Sequence, residues 1–264
     1  MELVKPKMQI LKGKQNRPPA TLIYGVDGVG KSTWAAKAPR PIFIQTEDRI
    51  AHIDVDKFEL AKDFETVLLQ VKFLIEEKHD YQTLIIDSLD WTEKLIFAEV
   101  CRENGEKAIN SNAKGSALSY GRGYQLALEK WGMLRMGLDI LRSRRDMGIV
   151  LIAHSKIRKF EDPLRENYDR YEIDLQEKAS SMWQQWCDCV FFANFETIVR
   201  KDNSDSLKGV GTGRRLIYTE ERPAFDAKNS YDLPPEIELK HSTFAEGYKK
   251  YFKQNEKTGE IKNG

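Results

Sequence analysis

The sequence predicts one α/β domain built on a mainly parallel sheet, with an added β element. Three observations carry this. Short apolar runs alternate with helix-spaced segments from Ala20 to about His154, the rhythm of βα units. The run GIVLIAH at 148–154 is apolar on both faces, as strands inside a parallel sheet are. After residue 188 the pattern changes to two strand-like runs around a polar, glycine-containing segment. The 264 residues are 41% hydrophobic and 31% charged, enough for one such domain with a sizeable core.

Residues 1–19 are basic and end in Pro18-Pro19, which reads as an arm. TLIY (21–24) is a buried strand, KSTWAAKA (31–38) a helix, and PIFIQ (41–45) a second buried strand stopped by TEDR. Phe64, Val67, Leu68, Val71, Leu74 and Ile75 recur at helical spacing behind Asp63, a suitable N-cap. TLIID (83–87) is a third strand, and a helix begins near Asp90. Residues 104–123 form a long polar loop. The next helix carries Tyr124, Ala127, Leu128, Trp131, Leu134, Leu138 and Leu141 on one face and ends in RSRRD. DCVFFANFETIVR and RRLIYTEERPAF are expected to be strands flanking a flexible loop over 201–213. The main domain is expected to span 20–240, with a polar helix or tail over 241–264.

A formal net charge of +1 gives no global electrostatic signature, so nucleic-acid affinity would have to come from local patches. Cys101, Cys187 and Cys189 form no even framework and, with four scattered histidines, no zinc site; a reducing interior is expected. The first residues lack the apolar core of a signal peptide, and no run is long enough to span a bilayer, so the expected location is cytoplasmic.

GVDGVGKST at 25–33 fits the phosphate-binding pattern G-x-x-x-x-G-K-[ST] between a buried strand and a helix. Gly25, Gly28 and Gly30 let the backbone turn tightly. The amides of Val26, Asp27, Val29 and Thr33 belong to the same phosphate-facing stretch. Lys31 would reach β- and γ-phosphates, and the Ser32 hydroxyl would ligate Mg²⁺. ATP with Mg²⁺ is the expected ligand pair.

Three further strand ends carry polar groups. TLIIDS places Asp87 at a C-terminal tip, where ligands bind in open α/β sheets and where a metal partner is needed. PIFIQTED places Glu47 and Asp48 at another tip, and GIVLIAH places His154 at a third. Glu47 can orient water, and His154 can sense a terminal phosphate. Taken singly, Glu47 also fits a helix cap and His154 a satisfied strand-end histidine. Together they point to one site.

GVDGVGKST, FIQTED, LIIDS, YGRGY, LIAHSK and AFDAKN, over about residues 18–235, resemble the phage-type AAA/RecA-like ATPases. Some members of that group act as single-strand-annealing or recombinase-like proteins in phage recombination. The resemblance implies a RecA-like P-loop NTPase core with a C-terminal β-hairpin extension, located in the host cytoplasm if phage-encoded. It implies ATP hydrolysis with Glu47 as the water-activating carboxylate, and oligomers with nucleotide between subunits. KNS at 228–230 is similar to a Lys-Asn-Arg segment that reaches a neighbour's γ-phosphate in RadA- and DnaB-like relatives. Lys228 matches the lysine, while Ser230 departs from the arginine.

Single-stranded DNA is the expected partner, with a single-strand-binding or other recombination protein as a further one, and no membrane. Candidate DNA contacts are Lys114, Tyr120, Arg122 and Tyr124, and the clusters Arg142/Arg144/Arg145, Lys156/Arg158/Lys159 and Arg214/Arg215. Each cluster also fits a solvated face, and Tyr124 and Trp131 fit the core better. Two rival readings stay open: a nucleotide-gated binding protein with negligible hydrolysis, and a thymidylate-kinase-like enzyme suggested by the loop and by YDRY at 168–171.

Overall fold

The computed structural model describes residues 13, 15, 17–110, 115–161, 166–201 and 207–259, with side chains described outside 199–201, 207–210 and 252–259. Lys114 and the far ends of the chain lie outside the described residues. Strand β1 (Ala20–Gly25) leads through the loop to helix α1 (Lys31–Ala35), then β2 (Pro41–Gln45), the short β3 (Asp56–Lys57), α2 (Phe64–Glu76) and β4 (Thr83–Asp87). Helices α3 (Leu89–Glu103) and α4 (Arg122–Arg144) precede β5 (Gly148–Phe160), β6 (Tyr168–Ile173) and α5 (Glu177–Trp186). The chain finishes with β7 (Cys189–Lys201), β8 (Leu207–Tyr218), β9 (Glu236–Glu238) and α6 (His241–Gly259).

The strands form one sheet in the order β3-β2-β4-β5-β1-β7-β8-β9, with β6 paired to the outer half of β5. Every pairing from β3 to β7 is parallel, and β7-β8-β9 is antiparallel. This is the expected α/β architecture with a β-hairpin extension. β5 lies between β1 and β4, so the strand ending in the loop and the strand ending in Asp87 flank the strand that carries His154.

Each face of the sheet buries its own apolar layer. On one face α2, α3, α4 and α5 pack with Val71, Ile96, Trp131, Leu138 and Trp183, and the rings of Trp131 and Trp183 meet edge-to-face at 5.4 Å. On the other, Trp34 of α1 and Phe244 of α6 cover Phe191 and Ile217. Asp63 caps α2 as expected, its Oδ1 accepting from Thr66 N at 2.7 Å.

Several elements differ from expectation: the strand expected through Phe225 ends at Tyr218, and β6 and α5 form where no element was expected. Helix α1 ends at Ala35 rather than Ala38, because Pro39 disfavours helical backbone at the residue before it. The next turn tightens into Lys37 N to Trp34 O and Ala38 N to Ala35 O bonds. Of the loop expected over 201–213, 202–206 lie outside the described residues and the rest is strand: β8 starts at Leu207, and its ladder with β7 overrides weak local preference.

Candidate functional site

The parallel register brings three strand tips and the middle of β5 into one row. Gly25 is level with His154 and with Ala193, Gln45 is level with Asp87, and Asp87 is level with Ile152. The loop after β1 is therefore faced by the ends of β2 and β4 and by His154, which is not the strand tip expected, because β5 runs on to Phe160 in its pairing with β6. A cavity of about 280 Å³ opens there, with Asp27, Lys31, Ser32, Glu47, Asp87 and His154 on its walls.

Val29 is fully buried in the core and pins the middle of the loop, while Asp27, Gly28 and Thr33 face outward. Lys31 is buried, and its Nζ donates to the carbonyls of Gly25 at 2.9 Å and Val26 at 3.1 Å. Burial lowers its pKa, against the pull of Asp27 and Asp87. The ammonium thus folds onto the loop that it would help to close around phosphate.

Asp87 is buried, and its Oδ2 has no hydrogen-bond partner. Burial pushes its carboxyl up to about 6, opposed by a hydrogen bond from Ser32. Glu47 is also buried; its Oε1 accepts from Ser88 Oγ at 3.2 Å, and its Oε2 lies 3.2 Å from Arg49 Nε without an aligned hydrogen bond. Among the described residues no group of three histidines, cysteines or carboxylates could hold a metal by itself. One hydroxyl, one buried carboxylate and ligand oxygens is instead the donor set that suits Mg²⁺, which keeps several waters.

His154 is held on three sides. Its backbone N–H donates to Asp90 Oδ1 at 3.0 Å, its Nδ1 lies 2.9 Å from Asp90 Oδ2, and its Nε2 lies 2.9 Å from Asp27 Oδ1. The hydrogen bond with Asp90 raises the imidazole pKa, outweighing burial. Burial alone would raise the pKa of Asp90, and the bonds with His154 more than reverse it. The Nε2 edge of the imidazole faces the cavity and Asp27.

The sequence reading missed three groups of this site. Asp90 has a faint signal, a second carboxylate three residues past Asp87. Thr46 sews two strand tips together, its N donating to Asp87 O at 2.9 Å and its Oγ1 to Ser88 O at 2.9 Å. Arg215 of β8 also lines the cavity, although its charge suggested DNA contact.

Other expected residues lie elsewhere. Lys228 is not brought to the loop: its Nζ donates to the carbonyls of Gln184, Gln185 and Cys187, beside the end of α5 and the start of β7. Ser230 Oγ donates to Asp188 O at 2.7 Å in the same region. Arg142 is buried and bonded to Pro18 O and Asp188, a structural cation rather than a DNA contact. Lys156 and Arg158 face Asp174 and Glu172, and Arg214 faces Glu196. Tyr124 packs edge-on against Phe97 at 5.6 Å, and Tyr120 is wholly exposed. In YDRY, Arg170 is locked to Glu221 and Asp226, which leaves it no phosphate to grip.

A family model described as AAA domain matches residues 17–231, most of the chain and all of the site just described. The chain belongs to the AAA domain family. The match supports a nucleotide-binding, AAA-type ATPase domain, and the loop at 25–33 lies within the matched span. No curated protein matches the chain. Among solved structures it is similar to the RadB recombinase, at 10% identity and a TM-score of 0.42, over 79% of this chain and 84% of that one. No helix among the described residues is long and apolar enough to cross a membrane.

Proposed function

We propose that this AAA-domain protein is a Mg²⁺-dependent, RecA-like ATPase of phage type that acts on single-stranded DNA in recombination or replication. The observation behind it is the convergence of Glu47, Asp87 and His154 on one P-loop, with Asp87 Oδ2 buried and without a hydrogen-bond partner. A buried carboxylate oxygen of this kind calls for a cation or an ordered water.

In this reading the loop amides and Lys31 hold the β- and γ-phosphates. Ser32 and Asp87 would hold Mg²⁺, which would supply charge neutralisation at the phosphate oxygens. Glu47 takes the proton of the attacking water as its oxygen bonds to the γ-phosphorus and the bond to the bridging oxygen breaks. His154, whose pKa Asp90 raises, presents Nε2 where a terminal phosphate would replace Asp27 as its partner.

Support for DNA is local. Exposed Tyr120 stands on the loop before α4 and exposed Arg122 opens that helix, and Lys156, Arg158 and Lys159 continue the strand that carries His154. The engagement of Lys228 with three carbonyls favours the second reading, a nucleotide-gated binder that lacks a cation supplied in trans.

Glu47→Gln separates the two readings when Mg²⁺-dependent ATP turnover is measured with and without single-stranded DNA at two salt concentrations. In an ATPase the variant binds ATP but loses turnover by about a hundred-fold or more, and wild-type stimulation by DNA fades as salt rises. Wild-type protein that binds ATP without turning it over would leave the gated binder standing.

A further inference from the structure

The P-loop carries an acid of its own. Asp27 Oδ1 lies 2.9 Å from His154 Nε2 and 4.0 Å from Arg49 Nη1, on the wall of the P-loop cavity. Glu47 Oε1 stands further from the same imidazole nitrogen, at 3.9 Å, and Asp90 holds the other nitrogen. The loop is fixed on either side of Asp27, because Gly25 packs against the Ala193 carbonyl and Val29 is fully buried. Between them the Asp27 side chain is 72% exposed, and a Cβ on Gly28 would meet no atom. The acid therefore sits on the stretch of the loop that has room to turn. We propose that Asp27 is a built-in competitor of the terminal phosphate: it holds His154 before nucleotide arrives and while a nucleoside diphosphate is bound, and gives it up to a triphosphate. The inference rests on the nucleotide reading above and adds a regulatory residue to it.

A diphosphate ends at the loop amides and Lys31 and leaves His154 to the acid. A triphosphate adds one more anion in the direction of β5, where a carboxylate already stands. Two negative groups cannot share one imidazole edge without strong repulsion, so one of them has to leave. Asp27 is the group that can: its side chain faces water, and an ion pair this exposed is weak. Glu47 and Asp90 are buried and stay in place. Once the terminal phosphate is gone, Asp27 retakes the imidazole, so the loop itself returns His154 to its first partner.

The test compares a non-hydrolysable ATP analogue with ADP, both with Mg²⁺, by calorimetry on the full chain. Wild type, Asp27→Asn, His154→Ala and the double variant are measured. Asp27→Asn should tighten the ATP analogue about five-fold or more and leave ADP within about two-fold. In the His154→Ala background the same change should alter the analogue by less than about two-fold, because no imidazole is left to compete for. In wild type, the side-chain nitrogen signals of His154 in NMR should move with the analogue and stay in place with ADP. That readout decides the matter if His154→Ala does not fold. A gain that persists without His154 would be general charge relief and overturns the inference, as do equal gains for both nucleotides or histidine signals that move alike with both. Each of these leaves the P-loop reading intact. Failure of wild type to bind either nucleotide removes the nucleotide reading, and this inference with it.

Discussion

Asp90 grips His154 with both carboxylate oxygens, one on the backbone N–H at 3.0 Å and one on Nδ1 at 2.9 Å. The backbone and side chain of this β5 residue are thus oriented by a single residue of α3. Asp90→Asn keeps the shape and removes the charge that raises the imidazole pKa. We expect ATP turnover to fall roughly ten- to a hundred-fold with nucleotide affinity within a few-fold of wild type. Equal losses in both would show that Asp90 only holds the fold.

Lys31 is a buried ammonium whose partners in this structure are two backbone carbonyls. Desolvation makes that arrangement costly without an anion. Lys31→Met should weaken ATP binding by about a hundred-fold or more and leave thermal stability equal to or above wild type. A variant that still binds ATP would end the assignment of this loop.

Glu93 carries a pH signature. It is buried on α3, accepts from Gln176 N with both oxygens, and burial pushes its pKa from 4.5 up to about 7. The folded chain therefore keeps a proton that the unfolded chain releases, so stability falls as pH rises from about 4.5 to about 7. Across that window the cost is about 3 kcal/mol. Denaturation of wild type and Glu93→Gln at pH 4.5 and 8 should show the gap moving by that amount in the variant's favour. A gap that does not change with pH would contradict it.

Arg142 joins the arm before β1 to the start of β7, bonding Pro18 O and Asp188, while Asp188 also accepts from Ala20 N and Tyr231 Oη. Arg142→Ala should cost roughly 3 kcal/mol by leaving those acceptors short of a buried donor. Any loss of DNA binding should track the loss of folded protein, as circular dichroism on the same samples will show.

What could be read from the sequence here was local. Lys31, Asp87, Glu47 and His154 each end or follow an apolar run, and a polar group at such a place stands out. Asp90 meets His154 across 64 positions, and Thr46 meets Ser88 across 42, contacts that depend on strand order. Arg215 reaches Gly30 only because β8 pairs with β7 and β7 with β1. Arg142 looked like part of a basic surface run because its partners Pro18 and Asp188 lie 124 and 46 positions away in the chain. Helix α1 stops early for a local reason, Pro39, that the apolar spacing outweighed in the reading.

Gly25 opens the P-loop level with His154 on one side and Ala193 on the other, and a Cβ there would lie 1.9 Å from Ala193 O. The loop is therefore clamped at its root by neighbouring backbone, with no slack for a side chain. Its entry direction is preorganised when the sheet closes, before any ligand arrives. Ordering entropy that a free glycine-rich loop would lose on binding has already been lost on folding. Affinity for phosphate in this chain is thus partly a property of the β1–β7 pairing, and changes along β7 should be felt as changes in ligand affinity.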